Sequence, residues 1–267
     1  MIELESELVR VYSGVGHEIP PHPGHEWTRF VCISDTHSRI YSVPAGDVLL
    51  HAGDLSSWGQ LNQLQPTVEW LKSLGHPVKI MIAGNHDLCL DKEWGVPIFG
   101  LDPDIQRARD YVYGQATKDA GLHYLEHEAF QFTSSGEVWS VYGSPAAPVY
   151  VQGAFQYRTD EEAQAIYQKI PFHTDILVTH TPPFMTLDRT RRSQHPGCQV
   201  LASTLPRLHH CRLHVFGHIH EAHGAQIDVD TATGIYKVSV NAAVASKGNP
   251  IVVDLKRPRD HTGQSCM

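Results

Sequence analysis

Short apolar runs, separated by polar and glycine-rich stretches, recur along most of this 267-residue chain. Strands that are covered on both faces are continuously apolar, so six of these runs predict buried β-strands: 29–34, 48–52, 78–83, 138–142, 176–179 and 213–216. Stretches between the runs carry apolar residues at helical spacing. They predict helices over 61–74, from about 102 to 121, from 159 or 160 to 169, and around 200–208. Strands that alternate with helices indicate an α/β protein.

The end of the chain has a different pattern. Apolar runs at 225–230, 236–240 and 251–255 follow one another without an intervening helix, which predicts a hairpin-like group of strands. The whole order predicts a four-layer α-β-β-α sandwich in which two mixed sheets pack face to face. We expect an N-terminal extension over 1–28, one domain over 29–257 with a helical insertion at about 88–121, and a C-terminal tail over 258–267.

Charge and composition narrow the range of functions. The formal net charge is −8, which argues against binding to duplex nucleic acid or to an anionic membrane surface. The five cysteines include no C-x-x-C pair, so reduced thiols are expected and not a disulfide framework. No apolar run is long enough to span a bilayer, and the first residues do not resemble a signal peptide. We therefore expect a cytoplasmic protein with no membrane or nucleic-acid-duplex partner.

Residue types that bind metals stand directly after five of the predicted strands. They form the strings Asp35-Thr36-His37, Gly53-Asp54, Gly84-Asn85-His86-Asp87, Thr179-His180 and Gly217-His218-Ile219-His220. Ligands collect beyond the carboxyl ends of strands in open α/β sheets, so these side chains are expected to meet. Carboxylate, amide and imidazole donors suit a pair of divalent metals. Each string alone is an ordinary turn or strand end, and it is the ordered set that indicates a metal-dependent hydrolase.

The ordered strings resemble the calcineurin-like metallophosphoesterase superfamily. Four further segments are similar to its MPPED-type branch, which includes relatives of class III cyclic-nucleotide phosphodiesterases: 29–39, 142–145, 181–183 and 214–221. The similarity extends over about residues 29–257. It implies two divalent metals, Mn, Fe or Zn, and a hydroxide between them that attacks a phosphoester.

The resemblance also implies a role for each residue of the strings. Asp35, His37 and His220 would bind the first metal. Asn85, His180 and His218 would bind the second, and Asp54 would bridge both. His86 would stabilise the phosphoryl charge or protonate the leaving oxygen. Asp87 would orient the imidazole of His86, as carboxylates do beside many catalytic histidines.

Candidate substrate contacts lie mainly in a glycine- and aromatic-rich loop at 144–158. Aromatic side chains can stack on a planar ring, and an arginine can bind a phosphate or a carboxylate. The candidates are Trp58, which follows the bridging aspartate, and Tyr150, Phe155, Tyr157 and Arg158. The alternative is a loop that is packed by its own aromatic residues.

The resemblance leaves the substrate open. A small phosphodiester or nucleotide-type substrate is expected first. A protein Ser/Thr phosphatase is disfavoured, because 53–59 lacks the G-D-x-V-D-R-G string of those enzymes and Asp87 replaces their glutamate. Hydrolysis of a non-phosphate bond in a small metabolite, and a ligand-binding regulatory role, stay open. The presence of both His218 and His220 favours an active enzyme, and a homodimer is compatible with the branch.

Overall fold

The computed structural model of the chain describes residues 4–5, 7–13, 19–94, 103–230, 233–246 and 249–256. Its strands are β1 (Leu4–Glu5), β2 (Val9–Tyr12), β3 (Trp27–Ile33), β4 (Val48–Ala52), β5 (Val78–Ile82), β6 (Leu122–Tyr124), β7 (Glu128–Ser134), β8 (Glu137–Ser144), β9 (Ala147–Pro148), β10 (Gln156–Tyr157), β11 (Ile176–Thr179), β12 (Leu213–Phe216), β13 (Gly224–Val229), β14 (Tyr236–Asn241) and β15 (Ile251–Lys256). Its α-helices are α1 (Leu61–Ser73), α2 (Pro103–Val112), α3 (Gln115–Asp119), α4 (Asp160–Tyr167) and α5 (Gln199–Thr204). Short 3₁₀ helices occupy Leu88–Leu90, Leu205–Arg207 and His220–Ala222.

Two mixed sheets contain nearly all of these strands. The first sheet has the order β1-β2-β15-β3-β4-β5-β6, and the second has the order β13-β14-β12-β11-β8-β7. In the first sheet β3, β4, β5 and β6 run parallel, and in the second sheet β8, β11, β12 and β14 do. A separate parallel pair joins β9 to β10. The parallel strands of each sheet therefore end at a common edge.

The two sheets pack face to face through one hydrophobic core. Alternate residues of a strand point to opposite faces, so Phe30 and Cys32 of β3 face the second sheet. They share a cluster with Val141 of β8 and with Ile176 and Val178 of β11. This shared cluster holds the two sheets together and forms the core between them, as the predicted sandwich requires.

Helices cover the outer face of each sheet. Val31 and Ile33 point away from the core and pack with Leu64 and Val68 of α1. On the other side of the molecule, Leu177 packs with helices α4 and α5 in a third cluster. The layers therefore follow in the order helix, sheet, sheet, helix. No described helix has the length and hydropathy that crossing a bilayer requires.

The helices predicted over 61–74, from 159 or 160 to 169, and around 200–208 begin close to their predicted bounds. Helix α4 begins after Thr159, whose hydroxyl accepts from the Glu162 amide, and the Glu162 carboxylate in turn accepts from the Thr159 amide. This reciprocal capping box stabilises the first turn. The single helix predicted from about 102 to 121 is two helices, α2 and α3. The chain turns between them at Tyr113 and Gly114, where Gly114 adopts an extended conformation before α3.

The N-terminal segment contributes to the first sheet. Strand β2 pairs with β15, so part of the predicted extension over 1–28 is a sheet component, and β3 begins at Trp27. The sequence predicts that strand β15 joins the hairpin of β13 and β14, and this prediction is wrong. Strand β15 inserts between β2 and β3 of the other sheet. The domain boundaries stay predictions; the tail over 258–267 and residues 95–102 of the predicted insertion lie outside the described residues.

Candidate metal centre

Five strand ends carry the predicted ligands to one edge of the sandwich. Asp35 follows β3, Asp54 follows β4, and Asn85 follows β5, three neighbouring parallel strands of the first sheet. His180 and His218 follow β11 and β12, which are parallel neighbours in the second sheet. Because the parallel strands of both sheets end at this edge, the side chains meet between the sheets.

The backbone turns sharply at the ligands. Asp35, His37, Asp54 and His218 have φ angles of 55°, 46°, 55° and 67°. Residues with a Cβ rarely adopt this left-handed conformation, and such strain concentrates at functional sites. A Cβ on Gly217 would lie 2.0 Å from Oδ2 of Asp35 and 2.2 Å from Oγ of Ser34. The close approach of the turn to the carboxylate thus requires glycine at 217.

The first group of ligands is compact. One ligand atom from each of four residues lies within 4.8 Å of the others: Asp35, His37, Asp54 and His220. Nε2 of His220 is 3.1 Å from Oδ1 of Asp35 and 3.3 Å from Nε2 of His37. Nε2 of His37 is 3.8 Å from Oδ2 of Asp54. These are the residues that the resemblance assigns to the first metal and to the bridge.

The second group adjoins the first through Asp54. Nε2 of His180 is 3.0 Å from Oδ1 of Asn85 and 3.4 Å from Oδ1 of Asp54. The His218 ring lies with its centroid 5.0 Å from that of His180, and its backbone amide donates to the Asp35 carboxylate. The predicted ligands are thus all gathered at one place, with Asp54 between the two groups.

The carboxylates of the centre are held in their charged form. Burial would raise the pKa of Asp54, but the charge of His180 and its hydrogen bond outweigh burial and lower the pKa to about 2. Burial also opposes charge on Asp35, yet the hydrogen bond and charge of His220 lower its pKa well below the usual range. Both carboxylates are therefore anions in the protein interior and need positive charge beside them.

His180 supplies that charge in the metal-free protein. Burial would lower the pKa of His180, but the negative charges of Asp54 and Asp35 raise it to about 9. Its Nδ1 donates to the Ala52 carbonyl at 2.9 Å, which fixes the ring and turns Nε2 toward Asp54 and Asn85. A divalent cation placed there would replace the proton on Nε2. The charge, the donor types and the orientation of the rings fit a pair of divalent metals.

His86 lies against the first group of ligands. Its ring centroid is 4.8 Å from that of His37, and its backbone amide donates to Oδ1 of Asp54 at 2.9 Å. Nδ1 of His86 donates to the Ser57 carbonyl at 2.7 Å, which leaves Nε2 free to face the site. Ser57 is a contributor that the sequence analysis does not single out. Its hydroxyl donates to the His37 carbonyl at 2.6 Å, so one serine holds both histidines.

Asp87 has a different role from the one predicted. Its buried carboxylate accepts hydrogen bonds from the amides of Gly84, Leu55 and Ser56 and from the Ser56 hydroxyl, at 2.7–3.0 Å. Burial and the charge of Asp54 raise the pKa of Asp87 to about 6. The imidazole of His86 is oriented by Ser57 and not by Asp87. Asp87 instead ties the turn after β4 to the turn after β5.

A cavity of about 410 Å³ opens beside His37, His86 and His220, and Trp58 lines it. The other predicted substrate contacts do not line this cavity. Tyr157 is only 7% exposed and packs its ring against Tyr167, so it presents no surface to a ligand. Tyr150 is 83% exposed and lies with Phe155 in the loop between β9 and β10, and Arg158 directly follows β10. Contacts of these three residues with a substrate stay predictions.

Arg39 and Tyr41 line the same cavity and are missed by the sequence analysis as site residues. A signal for them existed, because both follow the Asp35-Thr36-His37 string within a few positions. The direction of their side chains depends on the turn at Ser38, whose φ is 62°. A local apolar and polar pattern does not reveal such a turn.

Comparisons with known proteins agree with this arrangement. The family of calcineurin-like phosphoesterases matches residues 28–222. Metallophosphoesterase domain-containing protein 1 from Homo sapiens is 36% identical over 264 residues, which cover 94% of this chain and 78% of that protein. UPF0046 protein K07C11.7 from Caenorhabditis elegans is 32% identical over 236 residues, covering 87% of this chain and 75% of that protein.

A solved structure shares the fold. TT1561 of Thermus thermophilus superposes with a TM-score of 0.50 at 12% identity, covering 80% of this chain and 88% of the other. The family match extends over most of the chain, from the first ligand string to the last, and includes every predicted ligand. The chain therefore belongs to the calcineurin-like phosphoesterase family and is a metal-dependent phosphoesterase.

Proposed function

We propose that the protein is a dinuclear metal-dependent phosphodiesterase that acts on a small phosphodiester or nucleotide-type substrate. The observation that carries this proposal is a compact group of ligand atoms, which lie within 4.8 Å of one another, from Asp35, His37, Asp54 and His220. His86 lies beside this group and is not one of the predicted metal ligands. Two divalent ions, Mn, Fe or Zn, would neutralise phosphoryl oxygens and lower the pKa of a bound water.

The residues around the ions have distinct tasks in this proposal. Asp54 joins the two groups of ligands, since its Oδ2 faces His37 and its Oδ1 faces His180. Asn85 contributes a neutral oxygen, so the second group carries less negative charge than the first. Hydrogen bonds from Nδ1 of His180 and from the backbone of His218 fix these two residues, which keeps the site in one geometry before a substrate binds.

His86 is the proposed proton donor to the leaving oxygen. Its Nδ1 is occupied by the Ser57 carbonyl, so any proton that moves must be on Nε2. The ring lies beside His37 and lines the cavity in which a substrate would be placed. General-acid assistance of this kind contributes roughly 10²–10⁴-fold to a rate. Cytoplasmic location and a homodimeric state stay predictions.

Hydrolysis of bis(p-nitrophenyl) phosphate with added Mn tests the proposal. The wild-type protein should show metal-dependent turnover. Asp54→Ala removes the residue that lies between the two groups of ligands. Loss of a residue that only supports a ligand lowers activity by roughly 10–100-fold, so the turnover of Asp54→Ala should fall by more than that. Asp228→Ala, at an exposed acid on β13, is the matched control and should retain turnover.

Three results would contradict the proposal. A folded, Mn-loaded wild-type protein that cleaves p-nitrophenyl phosphate but leaves the diester intact would identify a phosphomonoesterase instead. A protein that cleaves neither compound would point to a non-phosphate bond or to a binding role. Equal turnover in wild type and Asp54→Ala would assign the activity to a different site.

A further inference from the structure

Two chemically different sets of residues line the cavity beside the metal ligands. One set is the histidines of the site, His37, His86 and His220. The second set is Arg39, Tyr41 and Trp58, to which the proposed chemistry assigns no task. A cavity of about 410 Å³ is large enough for a small ligand, because such sites usually measure about 300–1,000 Å³. The second set therefore needs an explanation of its own.

Trp58 presents a large aromatic surface from a fixed backbone. Trp58 is 70% exposed, although tryptophan residues are highly buried on average. Its amide donates to the side chain of Gln63 at 2.8 Å, and the preceding Ser57 amide donates to the Ser38 hydroxyl at 3.0 Å. The indole ring lies 6.2 Å from the ring of His86. A rigid turn thus holds an uncovered ring next to the proposed proton donor.

Tyr41 supplies a second aromatic ring to the same cavity. It is half-buried, and one side of it packs against the hydrophobic cluster between α1 and the first sheet. Its other side lines the cavity. A ring that is anchored in the core loses little conformational entropy when a ligand binds against it. The cavity therefore offers two preorganised aromatic surfaces.

Arg39 supplies a cation. Its side chain is exposed, and its guanidinium makes no ion pair or hydrogen bond with any described residue, whereas Arg29 is paired with Asp254 and Arg109 with Glu126. Its amide donates to the Thr36 carbonyl at 3.0 Å, so the turn that positions the first ligands also positions Arg39. An arginine that borders a cavity and has unused guanidinium donors favours the binding of an anionic group there.

We propose that Arg39, Tyr41 and Trp58 form a leaving-group subsite, in which a planar ring lies between the two aromatic residues and a second anionic group binds Arg39. The subsite rests on the proposed function, because the leaving group must depart on the side of the proton donor His86. Its ligand is a phosphoester whose leaving group is both aromatic and negatively charged. The metal ligands alone would not select a substrate by its leaving group.

Binding of phosphonates to the Mn-loaded protein tests the subsite without turnover, since their P–C bond is not hydrolysed. The probes are methylphosphonate, benzylphosphonate and 4-carboxybenzylphosphonate, measured by isothermal titration calorimetry. Trp58→Leu should weaken both benzyl compounds by about 5–100-fold, the effect of one lost stacking contact, and leave methylphosphonate unchanged. Arg39→Gln should weaken only the carboxylated compound, by about fivefold, the effect of losing one exposed ion pair.

Matched controls separate the subsite from general surface effects. Phe172→Leu removes an exposed aromatic residue, and Arg107→Gln removes an exposed arginine. Neither lines the cavity, and both should bind the three probes as the wild type does. Tyr150→Leu and Arg158→Gln examine the competing loop contacts predicted from the sequence. If these two weaken the benzyl compounds and Trp58→Leu does not, the subsite lies in that loop and the proposal is wrong.

The failure of the subsite can be told apart from the failure of the proposed function. If methylphosphonate binds the Mn-loaded protein and Trp58→Leu leaves the affinity for benzylphosphonate unchanged, only the subsite is refuted. If Trp58→Leu weakens all three probes equally, the residue supports the site without selecting a leaving group, and the subsite is again refuted. If no phosphonate binds, the subsite is refuted, and turnover of bis(p-nitrophenyl) phosphate decides separately whether the proposed function holds.

Discussion

Nε2 of His180 lies 3.4 Å from Oδ1 of Asp54, and this contact joins the two sheets of the sandwich. Asp54 follows β4 of the first sheet, and His180 follows β11 of the second. The negative charge of Asp54 is one reason why the pKa of His180 is raised to about 9 despite its burial. The buried Asp54 carboxylate needs positive charge beside it, so the junction of the sheets depends on positive charge.

Removal of divalent metal should lower the melting temperature. A ligand that binds only the folded state at 100 times its dissociation constant adds about 2.7 kcal/mol to the free energy of unfolding. For a domain of this size, about 1 kcal/mol corresponds to roughly 2–4 °C. We expect a fall of about 5–10 °C when EDTA replaces Mn in a thermal-shift measurement. Asp54→Ala should show a much smaller difference, and a wild-type protein that melts equally with and without Mn would refute this expectation.

Asp87→Asn should destabilise the protein even without metal. The carboxylate accepts four hydrogen bonds, and an amide in its place would turn an NH₂ group toward buried donors such as the Leu55 amide. An unsatisfied buried donor costs about 1–3 kcal/mol. The free energy of unfolding in EDTA, measured with urea, should fall by about 2–3 kcal/mol, whereas Asp228→Asn should change it little. Unchanged stability would show that these hydrogen bonds do not hold the two turns together.

Gly217→Ala should damage the metal centre more than a glycine replacement elsewhere. The new Cβ would meet Oδ2 of Asp35 at 2.0 Å, so the carboxylate or the turn must move. Overpacking of this kind costs about 1–3 kcal/mol. We expect a lower melting temperature and a reduced Mn content after gel filtration, measured by mass spectrometry. At Gly75 a Cβ meets no atom within 4 Å, so Gly75→Ala is the matched control. Equal Mn content in the two variants would contradict the expectation.

The parts of the fold that local pattern determines agree with the sequence analysis. Val48–Ala52 is a buried strand because it is continuously apolar, and helix α4 begins where Thr159 and Glu162 form a capping box. The ligands themselves are recognisable because a polar string directly follows five of the apolar runs. These features depend on residues that are close in the sequence, where composition and spacing carry the information.

Long-range pairing and side-chain direction could not be predicted in this way. Strand β15 pairs with β2 and β3, from the opposite end of the chain, and nothing in the 251–255 run distinguishes these partners from the nearer hairpin. Asp87 stands next to His86 in the sequence, yet its carboxylate turns to the backbone of 55–56. The direction of a side chain depends on which loop lies beside it, and only the three-dimensional fold determines which loop that is.

His214 should make the protein less stable as the pH falls. Its Nε2 donates to the hydroxyl of Thr179 at 2.8 Å, and its Nδ1 is buried without a hydrogen-bond partner among the described residues. Burial lowers the pKa of His214 from 6.5 to about 3, so the folded protein holds this ring neutral. The unfolded chain binds a proton below about pH 6.5, and protonation therefore favours unfolding between pH 6.5 and 3.

The expected loss from His214 between pH 7.5 and 5 is about 2 kcal/mol, since each pH unit below 6.5 contributes about 1.4 kcal/mol. His214→Gln can still donate to Thr179 but does not titrate, so its free energy of unfolding should fall by about 2 kcal/mol less than that of the wild type over the same range. Urea unfolding of both proteins in EDTA at the two pH values measures this difference. Other histidines contribute equally to both proteins and cancel, so identical pH dependences would show that His214 is not held neutral by burial.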